Sequence, residues 1–356
     1  MKKKILALLM CAVMVIGILP FYTFAEDSDY TWLYKVISEE NKTAELSGVI
    51  VRSDLYDDEQ DIVLPEEIDG YTIIAVSNEF RDNTTGYFSP KSLYMPDTYK
   101  RIGEGFCFGC NWLSDLRLPK GLEWIDYGAF DGCDDLWKAV EYDQYRVKYL
   151  GEYCFGNYRY SVKDPHPGVV VIKQGTTLIK GQAFSHCDKL KKVIIPEGVR
   201  TICTGAFSRC DALKSIVLPS SMTRIEKNAF LTKSLKAIYI PESITYIDDE
   251  GIAGIDAGLG WNYIPYLPDL TVYGVNGSAA EAYAEKYNLT FVEINEMVNG
   301  DVDDDGLITL SDIQKVKNFM DGTVEIDGNS EIIGDMNADQ VIDAFDLFEI
   351  DRTINA

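Results

Sequence analysis

Apolar residues recur at a fixed spacing through the middle of this chain. Copies of one pattern start at Ile179, Ile202, Ile225 and Ile247, which are 23, 23 and 22 residues apart. The first two copies run from Ile to Ala-Phe, Cys and Leu, then end in alternating apolar residues followed by Pro. The alternating part has the period of a short strand, which Pro ends where no ladder hydrogen bond is needed. A repeat of this length predicts stacked coils that bury their apolar residues against one another.

Further copies of the pattern lie upstream. Two follow Ile102 and Ile125, and weaker ones precede Pro65 and Pro96. The frame breaks between residues 137 and 168, which predicts an insertion there. Because five apolar positions and a Pro recur together, the region of about 60–280 resembles the BspA-like leucine-rich repeat family of bacterial surface and secreted proteins.

This resemblance implies an α/β leucine-rich-repeat solenoid with short parallel strands, one per coil. The segment Leu64–Gly70 is similar to the first coil of the family, and residues 270–293 are similar to its closing cap. We therefore predict an N-terminal segment at 26–60, repeats at 61–293 and a separate domain at 294–356.

One residue in most predicted strands, two positions before the closing Pro, points away from the core because side chains alternate along a strand. Stacked coils place these residues in a row, which is a candidate binding face. The alternative is that β-branched and aromatic residues simply favour strands. The row consists of Val63, Tyr94, Arg117, Val171, Ile194, Val217 and Tyr239.

The insertion is a second candidate binding region. Its Trp137 and six tyrosines are able to stack on sugars, anchor a protein or pack in the core.

The cysteines follow the repeat. Without Cys11 seven remain, and four of them hold the same repeat position: Cys110, Cys133, Cys187 and Cys210. Cys107-Phe-Gly-Cys110 has the spacing of a redox or metal motif, but both cysteines fall on apolar positions. We therefore predict buried thiols. Disulfides between neighbouring coils are the alternative in an exported protein.

The N-terminus has the pattern of a secretory signal peptide. Three lysines at positions 2–4 precede an apolar run from Ile5 to about Pro20, and Ala25 ends a small-residue cleavage site. We predict cleavage after Ala25 and export without membrane insertion. An uncleaved anchor is the alternative, although the run is short for a span of roughly 20 residues.

Charge divides the chain unevenly. The formal net charge is −24, from 57 acidic and 33 basic residues, which makes nucleic acid and anionic membranes poor partners. Only two histidines are present, so there is little scope for histidine-based catalysis. Residues 297–356 hold 12 Asp, 3 Glu and 3 basic residues, a net charge of −12.

The carboxylates of this acidic region recur at the spacing of calcium loops. Oxygen ligands at positions 1, 3, 5, 9 and 12 of a twelve-residue loop, with a backbone carbonyl at position 7, surround one Ca²⁺ ion. Two such loops start 34 residues apart, and each leads into a short amphipathic helix. We predict two Ca²⁺ sites, with ligands Asp301, Asp303, Asp305, Leu307, Thr309 and Asp312 in the first, and Asp335, Asn337, Asp339, Val341, Asp343 and Asp346 in the second.

The region of about 297–356 resembles a type I-like dockerin module of a cellulosome. Each loop opens with Gly-Asp, position 12 is Asp and no helix precedes either loop. The resemblance implies calcium-dependent folding and binding to a cohesin module of a scaffold protein. Gln340 replaces the Gly expected in the second loop, which weakens that site through backbone strain. The recognition positions of the family fall on Leu310, Ser311, Lys317 and Asn318, and on Ala344, Phe345, Asp351 and Arg352.

The two resemblances together indicate a secreted, cellulosome-associated protein that is not an enzyme. Its dockerin would bind a cohesin, while its repeats recognise a protein, a cell surface or a glycan. One alternative is an enzyme of polysaccharide degradation, because many dockerins carry glycoside hydrolases. A hydrolase needs two carboxylates at a set spacing in a cleft, and no hydrolase module is recognisable here. A cell-surface adhesin is the other alternative.

Overall fold

A computed structural model describes residues 23–26, 29–52, 60–82, 88, 90–156, 168–252, 267, 269–293, 302 and 310–320. The chain forms two compact units. Unit 1 comprises residues 1–122 and 128–139, and unit 2 comprises residues 123–127 and 140–356.

The described residues of unit 1 form a mixed β-structure with one short helix. Its helix α1 spans Asp134–Ala139. Its strands are β1 (Thr23–Glu26), β2 (Tyr30–Ser38), β3 (Thr43–Val51), β4 (Gln60–Val63), β5 (Glu67–Ile68), β6 (Tyr71–Asp82), β7 (Pro90–Tyr94), β8 (Arg101–Ile102) and β9 (Asp115–Arg117).

Two sheets organise these strands. The first has the order β1-β2-β3-β6-β8, with β5 beside β6, and the second is the parallel sheet β4-β7-β9. The hairpin β2–β3 is antiparallel, and β3 then pairs in parallel with β6. The repeat pattern did not predict this hairpin, because β2 and β3 carry no copy of the repeat.

An aromatic chain forms part of the unit 1 core. Trp32 of the hairpin meets Phe88 edge-on, and Phe80 meets both Phe88 and Phe106 in T-shaped contacts at 5.6 and 5.1 Å. Phe106 then contacts Phe130 at 6.0 Å. Edge-to-face pairs at these distances add to the stabilisation from burial. The core therefore extends from the hairpin into the repeat coils.

Unit 2 contains the regular part of the repeat. Its helices are α2 (Ala279–Tyr287) and α3 (Leu310–Met320). Its strands are β10 (Trp124–Ile125), β11 (Lys148–Leu150), β12 (Tyr153–Gly156), β13 (Val169–Val171), β14 (Leu178–Ile179), β15 (Lys192–Ile194), β16 (Thr201–Ile202), β17 (Ser215–Val217), β18 (Arg224–Ile225), β19 (Ala237–Tyr239), β20 (Tyr246–Ile247), β21 (Thr271–Gly274) and β22 (Thr290–Glu293).

The predicted stack of coils with parallel strands is confirmed, but the prediction of one strand per coil is wrong. Each regular coil contributes a three-residue strand and a two-residue strand. The two-residue strands β14, β16, β18 and β20 lie side by side in one sheet, in which Ile179, Ile202, Ile225 and Ile247 are direct neighbours. Both sides of a coil need partners for their backbone groups. A two-residue strand is too short to show alternation in the sequence.

Three phenylalanines stack through the core of unit 2. The rings of Phe184 and Phe207 lie 5.1 Å apart with planes at 2°, and Phe207 and Phe230 lie 5.6 Å apart at 3°. All three side chains are fully buried. Backbone hydrogen bonds connect the same neighbouring coils, since the Phe184 N–H donates to the Ala206 carbonyl and the Phe207 N–H donates to the Ala229 carbonyl. Each coil therefore completes the core and the hydrogen bonding of the one before it.

Residues 270–293, predicted as a closing cap, form β21, α2 and β22. Ala280, Tyr283 and Ala284 of the helix are buried. A Cβ on Gly274 would lie 2.7 Å from the Cβ of Ala280, so the strand and the helix approach closely at this glycine. No helix in the described part of the chain is long and apolar enough to cross a membrane.

We predict that Gly156→Ala destabilises the repeat region far more than Gly151→Ala. Both glycines have left-handed φ angles, of 72° and 61°, so both substitutions cost about 1–2 kcal/mol in backbone strain. A Cβ at Gly156 would also lie 1.9 Å from the Ala183 carbonyl oxygen, while nothing lies within 4 Å of one at Gly151. We expect about 3 kcal/mol or more of additional loss at Gly156, measured by urea unfolding. Equal losses would contradict this close packing of backbones.

Candidate functional site

Three members of the predicted row of exposed residues lie on the outer face of the parallel strands in unit 1. Val63, Tyr94 and Arg117 are in register on β4, β7 and β9. Val63 is 65% exposed, and the Arg117 guanidinium lies 4.4 Å from the centre of the Tyr94 ring. A cation at this distance from an aromatic face is stabilised by the ring quadrupole. Tyr94 therefore already has a cationic partner within the chain.

The other predicted members of the row lie on strands of unit 2. Val171 and Ile194 are neighbours on β13 and β15, and Val217 and Tyr239 are neighbours on β17 and β19. Ile194 was predicted to be exposed, and that prediction is wrong, because its exposed fraction is only 5%. It is flanked by Val171 on one side and by strand β17 on the other.

Two members of the row were missed at the sequence level. The register pairs Tyr239 with Tyr273 of β21, and Tyr273 with Val292 of β22. Both added residues are half-buried, like Val217 and Tyr239. No closing Pro follows either strand, so the rule based on Pro did not detect them. The alternation of β21 indicates that Tyr273 points away from the core, but only the pairing with β19 places it in this row. We call Val217, Tyr239, Tyr273 and Val292 the tyrosine row.

Carboxylates lie near the tyrosine row. Burial, together with the negative charges of Glu197 and Glu242, raises the pKa of Tyr239. Glu197 is held in place, because its two carboxylate oxygens accept hydrogen bonds from the backbone N–H groups of Ser220 and Ser221 at 2.8 and 3.1 Å. The electrostatic environment of the row in unit 2 is therefore acidic.

The aromatic residues of the insertion serve mainly the core. Trp137 is buried and donates its indole N–H to the Phe130 carbonyl at 2.8 Å. Tyr149 packs against the unit 2 core, and its hydroxyl accepts the Lys173 N–H at 3.0 Å. Tyr142 is more exposed, with the Lys148 ammonium 4.4 Å from its ring centre. Tyr158 and Tyr160 lie outside the described residues.

The seven cysteines are all buried and free, which confirms the prediction of buried thiols. Their role is local hydrogen bonding. The Cys133 thiol donates to the Cys107 carbonyl, and the Cys210 thiol donates to the Phe184 carbonyl, both at 3.2 Å. Among the described residues, no group of three or more His, Cys, Asp or Glu side chains is arranged to hold a metal. Cys107 and Cys110 therefore give no support to a metal motif.

Only part of the predicted calcium and cohesin sites is described. Leu310, Ser311, Asp312, Lys317 and Asn318 lie on α3, which begins at position 10 of the first loop. Ser311 is exposed, while the half-buried Asn318 accepts a hydrogen bond from Gln314 at 2.8 Å. The remaining predicted ligands, Asp301, Asp303, Asp305, Leu307, Thr309, Asp335, Asn337, Asp339, Val341, Asp343 and Asp346, and the recognition residues Ala344, Phe345, Asp351 and Arg352 lie outside the described residues.

One contact links helix α3 to the described residue that precedes it. Val302 is buried, and its carbonyl accepts a hydrogen bond from the Lys315 ammonium of α3 at 2.7 Å. Ile313 and Val316 of α3 are also buried. Val302 is therefore held against the helix by a direct contact.

Two protein-family models match the chain. Residues 79–163 and 169–256 match the BspA type leucine rich repeat region, in six copies, and residues 299–355 match the dockerin type I domain. Both resemblances inferred from the sequence are confirmed. Dockerin domains bind cohesins, type I dockerins generally bind calcium, and leucine-rich repeats mediate interactions. Both matched domains are of non-catalytic kinds.

Several solved structures are similar to this chain at low identity. A leucine-rich repeat protein from Bacteroides ovatus is 20% identical, with a TM-score of 0.31, and the match covers 76% of this chain and 67% of that one. A leucine rich cell surface protein from Faecalibacterium prausnitzii is 16% identical (TM-score 0.27; 70% and 76% covered). The leucine-rich repeat protein of T. pallidum is 18% identical (TM-score 0.28; 76% and 98% covered). No curated protein sequence matches the chain.

We predict that the repeat region becomes less stable as the pH rises above about 8.5. Burial raises the pKa of Cys154 and that of Cys203 to about 12. The native state therefore keeps both thiols neutral, whereas the unfolded chain ionises them from about pH 8.5 upward. Stability is intact below that pH, and each thiol then costs about 1.4 kcal/mol per pH unit until the folded pKa is reached.

Urea unfolding at pH 7.5 and 9.5 checks this expectation. Cys203→Ala removes one of the buried thiols that ionise on unfolding, so the pH dependence of its unfolding free energy should be shallower than that of the unaltered chain. The same pH dependence in both proteins would show that Cys203 does not ionise on unfolding in this range.

Proposed function

We propose that this chain, which carries a BspA-type leucine-rich repeat region and a type I dockerin domain, is a secreted, non-catalytic component of a cellulosome. The dockerin attaches it to the cohesin module of a scaffold protein, and the repeat solenoid presents a recognition surface. The observation that carries the proposal is the presence of both matched regions in one chain. We propose the domain boundaries 1–25, 26–60, 61–293 and 294–356 for its signal peptide, N-terminal segment, repeats and dockerin.

Two Ca²⁺ ions are the proposed cofactors of the dockerin. The donor set is chemically suited to them, because carboxylate, hydroxyl, amide and carbonyl oxygens are the ligands that Ca²⁺ takes. In the first loop, Asp301, Asp303, Asp305, Thr309 and Asp312 supply side-chain oxygens, and Leu307 supplies its carbonyl. The contact between Lys315 and the Val302 carbonyl holds position 2 of this loop against α3. When bound, calcium neutralises the clustered carboxylates and thereby stabilises the folded module.

The proposed cohesin contacts lie on α3 and at the equivalent sequence positions of the second half. Ser311 is exposed on α3, as a contact residue must be. The two halves carry different residues at the recognition positions: Leu310, Ser311, Lys317 and Asn318 in the first, and Ala344, Phe345, Asp351 and Arg352 in the second. Because the two sets differ, we expect one of the two possible binding orientations to dominate.

We expect Asp303→Ala to weaken calcium binding by about 10–100-fold, a range known for the loss of supporting groups around metal sites. Asp304→Ala is the matched control, because position 4 of the loop is not a ligand although the same charge is lost. Isothermal titration of the full chain with Ca²⁺ measures the affinity. Retention on an immobilised type I cohesin, with and without chelator, measures docking. Equal losses of calcium affinity in the two variants, or retention on the cohesin that chelator does not change, would contradict the proposed sites.

We also expect the secreted protein to begin at Glu26. This cleavage would fall within β1, which spans Thr23–Glu26 and pairs with residues 31–34 of β2. Processing would therefore remove most of β1 and leave this edge of β2 open. N-terminal sequencing of protein from culture medium is the measurement. An N-terminus upstream of Thr23 would retain the strand and would rule out the proposed cleavage position.

A further inference from the structure

The tyrosine row of unit 2 is a continuous surface across four parallel strands. Its members stand side by side on β17, β19, β21 and β22, and all four are half-buried. Two residues earlier on the same strands, and therefore on the same face, lie Ser215, Ala237, Thr271 and Thr290. These are small side chains. Because these side chains are small, they leave space for a ligand beside the tyrosine row on that side.

The opposite side of the row is acidic. Glu197 and Glu242 each follow a closing Pro, in coils two apart, and Ser220 holds the same position in the coil between them. Both glutamates are exposed. Their negative charges act on the Tyr239 hydroxyl and contribute to its raised pKa. The hydrogen bonds to Ser220 and Ser221 hold the Glu197 carboxylate just after β17, the strand beside that of Tyr239, and Glu242 follows Tyr239 by three residues.

The ion pairs of the described residues in unit 2 involve other carboxylates. They include Arg224–Glu226, Lys227–Glu250, Lys233–Asp211, Lys236–Asp269 and Lys286–Asp249. Glu197 instead accepts hydrogen bonds from two backbone N–H groups, which bring no positive charge to its carboxylate. The carboxylates beside Tyr239 therefore remain available to a cation from outside the chain.

Elsewhere, the chain provides such a cation itself. The guanidinium of Arg224 lies 4.3 Å from the centre of the Tyr246 ring while its Nε donates to Glu226 at 2.7 Å. In unit 1, Arg117 lies on Tyr94 at the row position equivalent to that of Tyr239. A guanidinium gains from an aromatic face and a carboxylate together. At Tyr239 the aromatic ring and the carboxylates are present, and the guanidinium remains to be supplied.

We propose that the tyrosine row of unit 2 binds a basic segment of a protein partner, with an Arg or Lys side chain beside Tyr239 and between Glu197 and Glu242. Apolar side chains of the same segment pack on Val217, Tyr273 and Val292. This inference rests on the recognition role proposed above for the repeats, and it specifies the chemical class of the partner.

The charges around the face favour a basic peptide over an uncharged glycan. Exposed lysines, Lys191, Lys214 and Lys236, precede the strands of unit 2, whereas Glu197 and Glu242 follow them. This difference in charge along the strands orients a cationic group toward the carboxylate end. The net charge of −24 also attracts a basic partner over longer range. An uncharged sugar gains from neither effect.

The test uses the full chain and fluorescein-labelled decapeptides of alternating Arg and Val, Glu and Val, or Ser and Val, with cellohexaose as the glycan probe. We expect only the Arg-Val peptide to bind. Fluorescence anisotropy measures the binding of the peptides, and calorimetry measures that of cellohexaose. The Glu197→Gln/Glu242→Gln variant should weaken that binding by about tenfold. Tyr239→Val should also weaken it, because the aromatic ring is lost while the strand preference is kept.

The control is Glu141→Gln/Glu285→Gln, which removes the same charge from exposed positions that do not lie on the four strands of the tyrosine row. Glu242→Gln alone is a second test variant, because it keeps the hydrogen bonds that Glu197 accepts from Ser220 and Ser221. Equal weakening by the control, unchanged binding in the test variant, binding of cellohexaose instead of the peptide, or no binding of any probe would each overturn the proposal. Cohesin binding, measured on the same samples, shows separately whether the proposed docking function holds.

Discussion

The stacking of equivalent residues from one coil onto the next is the constraint on which the repeat region depends. A single coil of about 23 residues cannot bury its own apolar side chains, so each one is stable only against a neighbour. The parallel Phe184, Phe207 and Phe230 rings show this directly. Backbone hydrogen bonds follow the same step from coil to coil. Any residue type that recurs at one repeat position therefore forms a row.

The same constraint explains the cysteines and determines where the candidate binding face lies. A cysteine at the recurring position is small enough to be buried, and its thiol reaches a carbonyl of the preceding coil, as Cys133 and Cys210 do. On the outer face, stacking brings valine and tyrosine side chains from four strands into register. The tyrosine row is thus a consequence of packing on the other side of each strand. Its acidic border arises from residues that follow the strands.

Much of this arrangement was predictable from the sequence because the repeat is regular. The burial of the cysteines and the register of Val63, Tyr94 and Arg117 follow from spacing alone. The two-residue strands and the hairpin β2–β3 were not predictable in this way, since neither has a period that the repeat imposes. Ile194 shows a further limit. Alternation gave it an outward position, but the neighbouring strands bury it, and lateral packing is not encoded in the local pattern.

By itself, the sequence determined the coil length, the positions that share a row, the two calcium-loop spacings and the matched domains, because each depends on local spacing along the chain. Tertiary structure decided which members of a row are accessible and which residues from other segments join it. Tyr273 and Val292 entered the tyrosine row, and Glu197 and Glu242 came to border it, only when strands distant in sequence were brought into register. Long-range hydrogen bonding and packing create these neighbourhoods, and neither is a property of a local stretch of residues.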